Sequence, residues 1–455
     1  MPDLNEFLPK QSDAIVQAIY THYKQVGDSE PARGYLGASI IGHPCERYLW
    51  FNFRQCCKEE FPGRLYRLFQ TGHLAEERFA ADLMAIGCTV HTLDADGGQF
   101  AISALGGHFS GHMDGCVLGV LGAEKTWHVF EGKTHNNKNF KKLTKDGVQV
   151  AFPKHYAQMM TYMHYTGMKR ALYVAVNKDT DELYIERIRY DADQAAPLVQ
   201  RAKRVITSMT PPEGISDRRD FWQCKFCPAK DVCHETLSVS SQVLKLPSLS
   251  CRQCCHATPM MDGVQRWMCE KHKKSLSPTD QDNPCDDHLI LPGILAGYEP
   301  VEAGLMESDR SDFIHFESED GAVKFTNGRG PGTFSSRELM VVNRTGLTSP
   351  MVVKAKETFD GTVTSCCKDI LDRYPRERCS ILWEGRISEL TAAWDSLRVP
   401  WEGYNDVQLS AMSPINQMEL PTHQVAEYGN GVIVVVHTLE KRAEILQKRE
   451  EMSND

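Results

Sequence analysis

The sequence of 455 residues has no long apolar run, and its N-terminal stretch is polar with charges of both signs. A membrane-spanning helix requires about 20 consecutive apolar residues, and a secretory leader requires a basic start followed by an apolar stretch. Because both patterns are missing, we expect no membrane partner and a cytoplasmic location. Internal repeats and low-complexity tracts are also missing, which excludes solenoid and fibrous architectures.

The sequence has fewer basic than acidic residues: 51 Lys and Arg and 60 Asp and Glu give a formal net charge of −9. A negative net charge argues against the class of proteins that coat nucleic acid with a basic surface. A phosphate-binding loop is absent as well, because Trp127 occupies the position of the upstream glycine that Gly132-Lys133-Thr134 would need. We therefore expect no ATP hydrolysis, and any helicase would be a separate partner chain.

Acidic residues lie in two neighbouring apolar segments. Asp114 lies in the first segment, and Glu131 and Lys133 lie at the end of the second, with a glycine-rich turn between them. We expect the segments to pair as adjacent strands, so that the two carboxylates converge on Mg²⁺ or Mn²⁺. Lys133 shares the strand face of Glu131 and could orient or deprotonate an attacking water. The pattern predicts a metal-dependent phosphodiesterase, although solvated carboxylates beside a hairpin would give the same pattern.

Two segments with helical periodicity add further polar residues. Gln158 and Tyr162 are four residues apart in one of them and therefore share a helix face. The other segment carries Glu76, a candidate third metal ligand. His73, one turn earlier, is the alternative ligand.

The motifs G-x-x-x-E, G-H-x-D, E-x-K and Q-x-x-x-Y occur in this order over the first half of the chain. The series resembles the RecB-type nucleases of the PD-(D/E)XK superfamily. The resemblance implies a DNA nuclease, and above all an exonuclease, that hydrolyses phosphodiester bonds with a metal-activated water. It also implies these site residues: the metal ligands Glu76, Asp114, Glu131 and the backbone of Gly132, the catalytic Lys133, and Gln158 and Tyr162, which brace the site and contact the substrate.

The 16 cysteines are clustered, and in a cytosolic chain such clusters more often bind metal than form disulfides. Cys224, Cys227 and Cys233 form C-x2-C-x5-C, and Cys45 is the candidate for a fourth ligand. Four thiolates suit either zinc or an iron–sulfur cluster. One early cysteine followed by a late trio resembles the iron–sulfur branch of these nucleases, which includes CRISPR-associated exonucleases and phage-encoded relatives. That resemblance implies a 4Fe–4S cluster.

A second cysteine cluster follows a serine-rich connector. Its spacing is typical of a small zinc module that cannot bury a core without metal. The expected Zn²⁺ ligands are Cys251, Cys254, Cys269 and Cys285, with Cys255, His256, His272 and His288 as alternatives.

Lysines are concentrated directly after the E-x-K motif. We expect a loop here that follows the DNA backbone, although a solvated lysine loop would show the same pattern. The lysines assigned to this loop are Lys138, Lys141, Lys142 and Lys145, with Lys133 and Lys154 flanking them.

The motif order predicts an α/β fold, namely a restriction-endonuclease-like mixed sheet flanked by helices. We expect four segments: a nuclease domain with the Fe–S cluster (1–237), a linker and zinc ribbon-like module (238–292), a small α+β domain (293–400), and a C-terminal segment with a charged helix (401–455). The expected elements are helices at 12–26, 155–165, 364–373, 386–397 and 439–455 and one ending near 207, with strands at 99–105, 108–117, 127–133, 171–177, 183–190, 313–326 as a hairpin, and 339–342.

The resemblance also places the protein in a biological setting. A phage-encoded version would act in the bacterial host cytoplasm on linear or single-stranded DNA ends, in recombination, processing or degradation, with recombination or helicase proteins as partners. Two alternatives stay open. One is a DNA-binding or assembly module with an inactive nuclease core, and the other is an RNase or nicking endonuclease of the same fold.

Overall fold

The computed structural model describes residues 4–234, 244–306, 311–330, 332–359, 362–364, 379–386 and 432–438. The chain divides into two compact units, residues 1–215 with 258–278, and residues 216–257 with 279–455. Within the described residues, no helix combines the length and apolar character that crossing a membrane requires.

The first unit contains the expected nuclease motifs. Its helices are α1 (Leu4–Ser29), α2 (Glu46–Phe53), α3 (Gly63–Ala85), α4 (Asn137–Ala151), α5 (Pro153–Thr166) and α6 (Ala192–Thr207). Its strands are β1 (Leu36–Gly37), β2 (Thr89–His91), β3 (Ala101–Ala104), β4 (Phe109–His112), β5 (Gly115–Leu118), β6 (His128–His135), β7 (Arg170–Asn177) and β8 (Leu183–Arg189), followed by β9 (Ala257–Pro259), β10 (Trp267–Cys269) and β11 (Lys274–Leu276).

A five-stranded mixed sheet organises this unit, with strand order β2-β5-β6-β7-β8. Strands β6 and β7 are parallel, and the helices α4 and α5 make the crossover between them, whereas the other neighbours are antiparallel. Phe79 and Leu83 of α3 pack with Phe130, Leu172 and Val174 in a core on one face of the sheet. The expected mixed sheet flanked by helices is therefore confirmed.

The prediction of a single strand over residues 108–117 is wrong. This segment forms two strands in different sheets, because β4 pairs with β1 and β3 while β5 pairs with β2 and β6. Met113 and Asp114 lie at the junction. A side chain on Gly115 would meet the backbone oxygen of His91 at 2.5 Å, so glycine allows β2 to approach directly after Asp114.

The prediction of a lysine-rich loop is also wrong, because this segment forms the helix α4. The side chain of Asn136 caps it by accepting a hydrogen bond from the Asn139 backbone N–H. Gly147, with φ 71° and ψ 168°, breaks the helical geometry near its end. The lysines expected in a loop therefore lie on a helix that begins at the Asn136 cap.

The second unit contains the helices α7 (Lys230–His234), α9 (Ser336–Leu339), α10 (Arg344–Leu347) and α11 (Pro350–Phe359), with α8 (Pro278–Gln281) at its junction with the first unit. Its strands are β12 (Tyr298–Leu305), β13 (Asp312–Ser318), β14 (Lys324–Gly328), β15 (Thr362–Thr364), β16 (Cys379–Arg386) and β17 (Val432–Thr438). They form two sheets, β12-β13-β14 and β15-β17-β16.

Two expectations for this unit can be compared with its elements. The hairpin expected at residues 313–326 is present as β13 and β14. The strand expected at 339–342 is wrong, because Ser335 and Glu338 form a capping box that starts α9. The helices expected at 364–373 and 386–397 lie outside the described residues except for Thr364 and Arg386, which end strands, and the charged helix at 439–455 lies wholly outside them.

Candidate active site

Glu131 lies at the centre of the candidate site, in the middle of β6. Its side chain is fully buried, and its Oε1 lies 2.5 Å from the Nζ of Lys133. The alternation of side chains along β6 places both residues on one face, as the sequence predicts. Apart from this ion pair, neither carboxylate oxygen has a hydrogen-bond donor among the described residues.

Asp114 reaches the same place from the junction between β4 and β5. Its Oδ2 accepts a hydrogen bond of 2.8 Å from the backbone N–H of Gly132 and lies 3.7 Å from Lys133 Nζ. Pairing of Gly115 with Phe130 brings the start of β5 beside β6, as expected for adjacent strands. The structure thus brings together Asp114, Glu131 and Lys133.

Gly132 separates these groups from helix α3 on the opposite face of the sheet. A Cβ atom at this position would lie 2.9 Å from Cδ2 of Phe79 and 3.4 Å from Cγ of Glu76. Only a glycine lets α3 lie this close to β6. The carbonyl of Gly132, an expected metal ligand, accepts a hydrogen bond of 2.9 Å from Lys133 Nζ.

Of the two alternatives on α3, Glu76 is the residue whose charge interacts with the site. Its side chain is partly buried, and burial together with the negative charge of Asp114 raises its pKa to about 7, against an opposing effect of Lys133. His73 is exposed to solvent. This arrangement favours Glu76 as the third ligand.

The electrostatics of the site reflect an excess of carboxylates. Burial raises the pKa of Glu131 to about 7, Lys133 opposes this rise, and Asp114 and Glu76 add to it. Burial alone would lower the pKa of Lys133, but Glu131 and Asp114 hold it well above its usual value. Lys133 therefore stays protonated beside three carboxyl groups.

This donor set fits a hard divalent cation. Its members are oxygen ligands, and the carboxylate of Glu131 has only the ammonium of Lys133 as a partner among the described residues. Burial, with a smaller contribution from neighbouring negative charge, raises the pKa values of Glu76 and Glu131. In the described residues the three carboxylates do not all lie within 4.8 Å of one another, and the ammonium of Lys133 lies close to both Glu131 and Asp114. A cation would therefore compete with this ammonium for the same oxygens.

Gln158 and Tyr162 of α5 lie behind Asp114. Gln158 Nε2 donates to the Tyr162 hydroxyl over 3.1 Å, and this hydroxyl donates to the backbone oxygen of His112 over 2.6 Å. Both side chains are buried. They brace the strand that leads into Asp114, whereas the expected substrate contact stays a prediction.

A buried polar cluster beside Lys133 does not follow from the motifs. The Tyr173 hydroxyl of β7 is hydrogen-bonded to His135 Nε2 at 2.9 Å and to His155 Nδ1 at 3.0 Å. Burial lowers the pKa of the two histidines to about 4 and about 3, so both are neutral at pH 7. The ring of Phe152 stacks on both imidazoles. The sequence contains one indication of this cluster, because His135 lies two residues after Lys133 and therefore on the same face of the strand.

The geometry can be compared with known proteins. Residues 53–234, less than half of the chain, match the model of the PD-(D/E)XK nuclease superfamily, and this range contains every residue of the site described above. These residues carry a PD-(D/E)XK nuclease superfamily domain. Among curated proteins, none matches the sequence.

The solved structures that match the chain include LHK-Exo in complex with dAMP, which is 19% identical over 38% of this chain and 86% of its own, with a TM-score of 0.30. A second structure, of the alkaline exonuclease LHK-Exo from Laribacter hongkongensis, is 17% identical over 41% of this chain and 90% of its own, with a TM-score of 0.29. The protein SSO0001 is 14% identical over 48% of this chain and 96% of its own, with a TM-score of 0.28.

The lysines of the nuclease domain that were expected to contact DNA lie on α4. All four side chains are exposed: Lys138, Lys141, Lys142 and Lys145. Lys142 Nζ also donates to the Ala151 backbone oxygen over 3.0 Å and lies 5.8 Å from the ring centre of Phe152. The helix thus carries exposed positive charge between the active-site strand and α5.

The cysteines of both expected metal sites are divided between the two units. Cys45 lies in the first unit, where its Sγ caps α2 by accepting from the Tyr48 backbone N–H. Cys224, Cys227 and Cys233 lie in the second unit. Both ligand sets stay predictions. For the zinc set, the first unit contains Cys269 and His272, and the second contains Cys251, Cys254, Cys285 and His288.

Proposed function

We propose that the protein is a Mg²⁺- or Mn²⁺-dependent deoxyribonuclease that acts as an exonuclease on DNA ends. The observation that carries this proposal is the fully buried Glu131 beside Asp114, whose carboxylate has the ammonium of Lys133 as its one polar partner among the described residues. A buried carboxylate of this kind is costly to fold unless it has a partner or a function. Its place in a PD-(D/E)XK nuclease superfamily domain assigns that function as phosphodiester hydrolysis.

The side chains of the site have separate roles in this proposal. Glu76, Asp114, Glu131 and the Gly132 carbonyl would hold the cation, which supplies positive charge that acidifies the attacking water and stabilises the phosphate in the transition state. Lys133 has a raised pKa and is therefore an ammonium rather than a base. It donates hydrogen bonds that orient the water and offset charge on the scissile phosphate.

Substrate contacts come from lysines in the proposal, and two residues of α5 hold the site in position. The exposed lysines of α4, which follows the active-site strand, bind the phosphate backbone in a chain whose net charge is −9. Gln158 and Tyr162 keep the Asp114 junction in position through the His112 backbone oxygen. Product can then be released because most of the surface does not attract DNA.

The cysteines add two further cofactors to the proposal. A 4Fe–4S cluster bound by Cys45, Cys224, Cys227 and Cys233 and a zinc ion bound by the second cluster are supported by spacing and by the family resemblance. Protein purified without oxygen should absorb broadly near roughly 400 nm. Colourless protein that contains only zinc would contradict the Fe–S assignment. A role in phage DNA recombination, processing or degradation rests on the same resemblance.

End-labelled linear DNA tests the proposed activity. Wild-type protein should release labelled nucleotides with Mn²⁺ and none with EDTA, and Asp114→Asn should be inactive. Circular single-stranded DNA, circular duplex DNA and RNA serve as parallel substrates. Cleavage of circles would indicate a nicking endonuclease, cleavage of RNA alone an RNase, and equal inactivity of wild type and Asp114→Asn a binding module.

A further inference from the structure

An exposed pair of stacked aromatic rings lies at the edge of the nuclease sheet. His91 ends β2, and Trp127 directly precedes β6. Their ring centres are 5.5 Å apart, and the ring planes differ by 29°. Trp127 is 37% exposed, and His91 is exposed as well. The pair presents aromatic surface to solvent that the proposed catalytic chemistry does not use.

Strand register relates this pair to the catalytic carboxylates. His91 pairs with Cys116, and Cys116 pairs with Val129. Paired residues share a face of the sheet, and Cys116 and Val129 are each two residues from Asp114 and Glu131. Strand spacing then places the Cα atoms of His91 and Asp114 roughly 8 Å apart. The pair therefore lies beside the site on the same face.

The local charge indicates which part of a nucleic acid would lie there. Asp94 and Asp96 form a tight turn just after His91, in which the Asp94 side chain accepts hydrogen bonds from two backbone N–H groups. On the other side, the exposed Glu124 and Lys125 precede Trp127 with opposite charges. The segments that carry the two rings therefore have no excess of positive charge that would favour a phosphate. A nucleobase presents a π-face that stacks on aromatic side chains without needing positive charge. A base inside a duplex has both faces covered by its neighbours, so stacking here requires a base outside a continuous duplex and is most direct for an unpaired one.

We propose that Trp127, supported by His91, is a stacking platform for one unpaired nucleobase near the scissile phosphodiester. This rests on the proposed nuclease function and adds the substrate class, namely a DNA strand that is unpaired about four nucleotides from the cleaved bond. Trp127 lies four residues before Glu131, which corresponds to roughly 13 Å along a strand, and stacked nucleotides rise by about 3.4 Å each. Trp127 is a binding residue in this proposal and takes no part in the reaction itself.

Binding should be measured in an Asp114→Asn background, so that the DNA stays intact. Trp127→Ala should weaken binding of a labelled single-stranded oligonucleotide by roughly five- to a hundredfold, as expected for the loss of one stacked base. Trp127→Phe should restore most of this affinity, and a fully paired circular duplex should bind equally well to all three. Trp222→Ala is the matched control, because Trp222 is 70% exposed and lies in the second unit.

An abasic scan makes the test specific for a base. One abasic position of the oligonucleotide should weaken binding to the Asp114→Asn protein, and the same position should have no effect once Trp127 is alanine. Equal losses for single strands and duplex, or unchanged binding by Trp127→Ala, would overturn the platform. If wild type cleaves DNA and Trp127→Ala binds single strands normally, the platform alone is refuted. If wild type neither binds nor cleaves DNA, the proposed function is refuted as well.

Discussion

Replacement of Glu131 by glutamine should stabilise the metal-free protein above pH 7. The carboxyl has a pKa of about 7 in the folded chain against its ordinary value of 4.5, chiefly because it is buried. Each pKa unit corresponds to about 1.4 kcal/mol, so the ionised group costs up to about 3 kcal/mol of folding free energy. Glutamine keeps the shape of the side chain and never ionises.

The sign of the pH dependence follows from the raised pKa. Below pH 4.5 the carboxyl is protonated in both states, so wild type and Glu131→Gln should have equal stability. Between 4.5 and about 7 the unfolded chain loses the proton first, and wild type loses stability as the pH rises. The variant should therefore exceed wild type by about 1 to 3 kcal/mol at pH 8, and the difference should vanish near pH 4.5.

Urea unfolding in EDTA at several pH values measures this difference. Glu124→Gln is the control. The Gly122 N–H donates a hydrogen bond to this exposed carboxyl and lowers its pKa, so replacing the carboxyl with an amide should not stabilise the protein. A difference between wild type and Glu131→Gln that does not change with pH would refute the reasoning. So would a variant less stable than wild type at pH 8, since the ion pair with Lys133 would then outweigh burial.

Further predictions concern the groups around Glu131. Lys133→Met should lower kcat by roughly a hundredfold or more in a DNA cleavage assay while Mn²⁺ still binds, because a positive charge at the phosphate is lost; normal turnover would contradict its role. Gly132→Ala should destabilise the protein by about 1 to 3 kcal/mol in urea unfolding, since the added methyl group meets Phe79. Tyr162→Phe removes the hydrogen bond from the buried Tyr162 hydroxyl to the His112 backbone oxygen and should cost about 0.5 to 1.5 kcal/mol, whereas Tyr165→Phe serves as a control that should cost less.

The catalytic motif could be predicted from sequence because its geometry is local. Two residues along a strand place Glu131 and Lys133 on one face, and four residues along a helix place Gln158 beside Tyr162. The glycine-rich turn then brings Asp114 to β6. Each of these steps depends on regular backbone periodicity and needs no knowledge of distant contacts.

The features that the sequence analysis missed depend on contacts between distant segments. The break at Asp114 arises because β2 approaches Gly115, which no local pattern records. Tyr173 joins two histidines from different elements. Asn136, directly before α4, would suit a loop or a helix cap equally well in isolation, and only the packed helix decides between them.

Mn²⁺ binding to the metal-free protein tests the central claim most directly, because manganese prefers oxygen ligands over the thiolates of the cysteine clusters. Titration calorimetry at pH 8 should show a saturable site in wild type that is lost in both Asp114→Asn and Glu131→Gln and kept in Glu124→Gln. Unchanged Mn²⁺ binding by Asp114→Asn and Glu131→Gln would contradict the account.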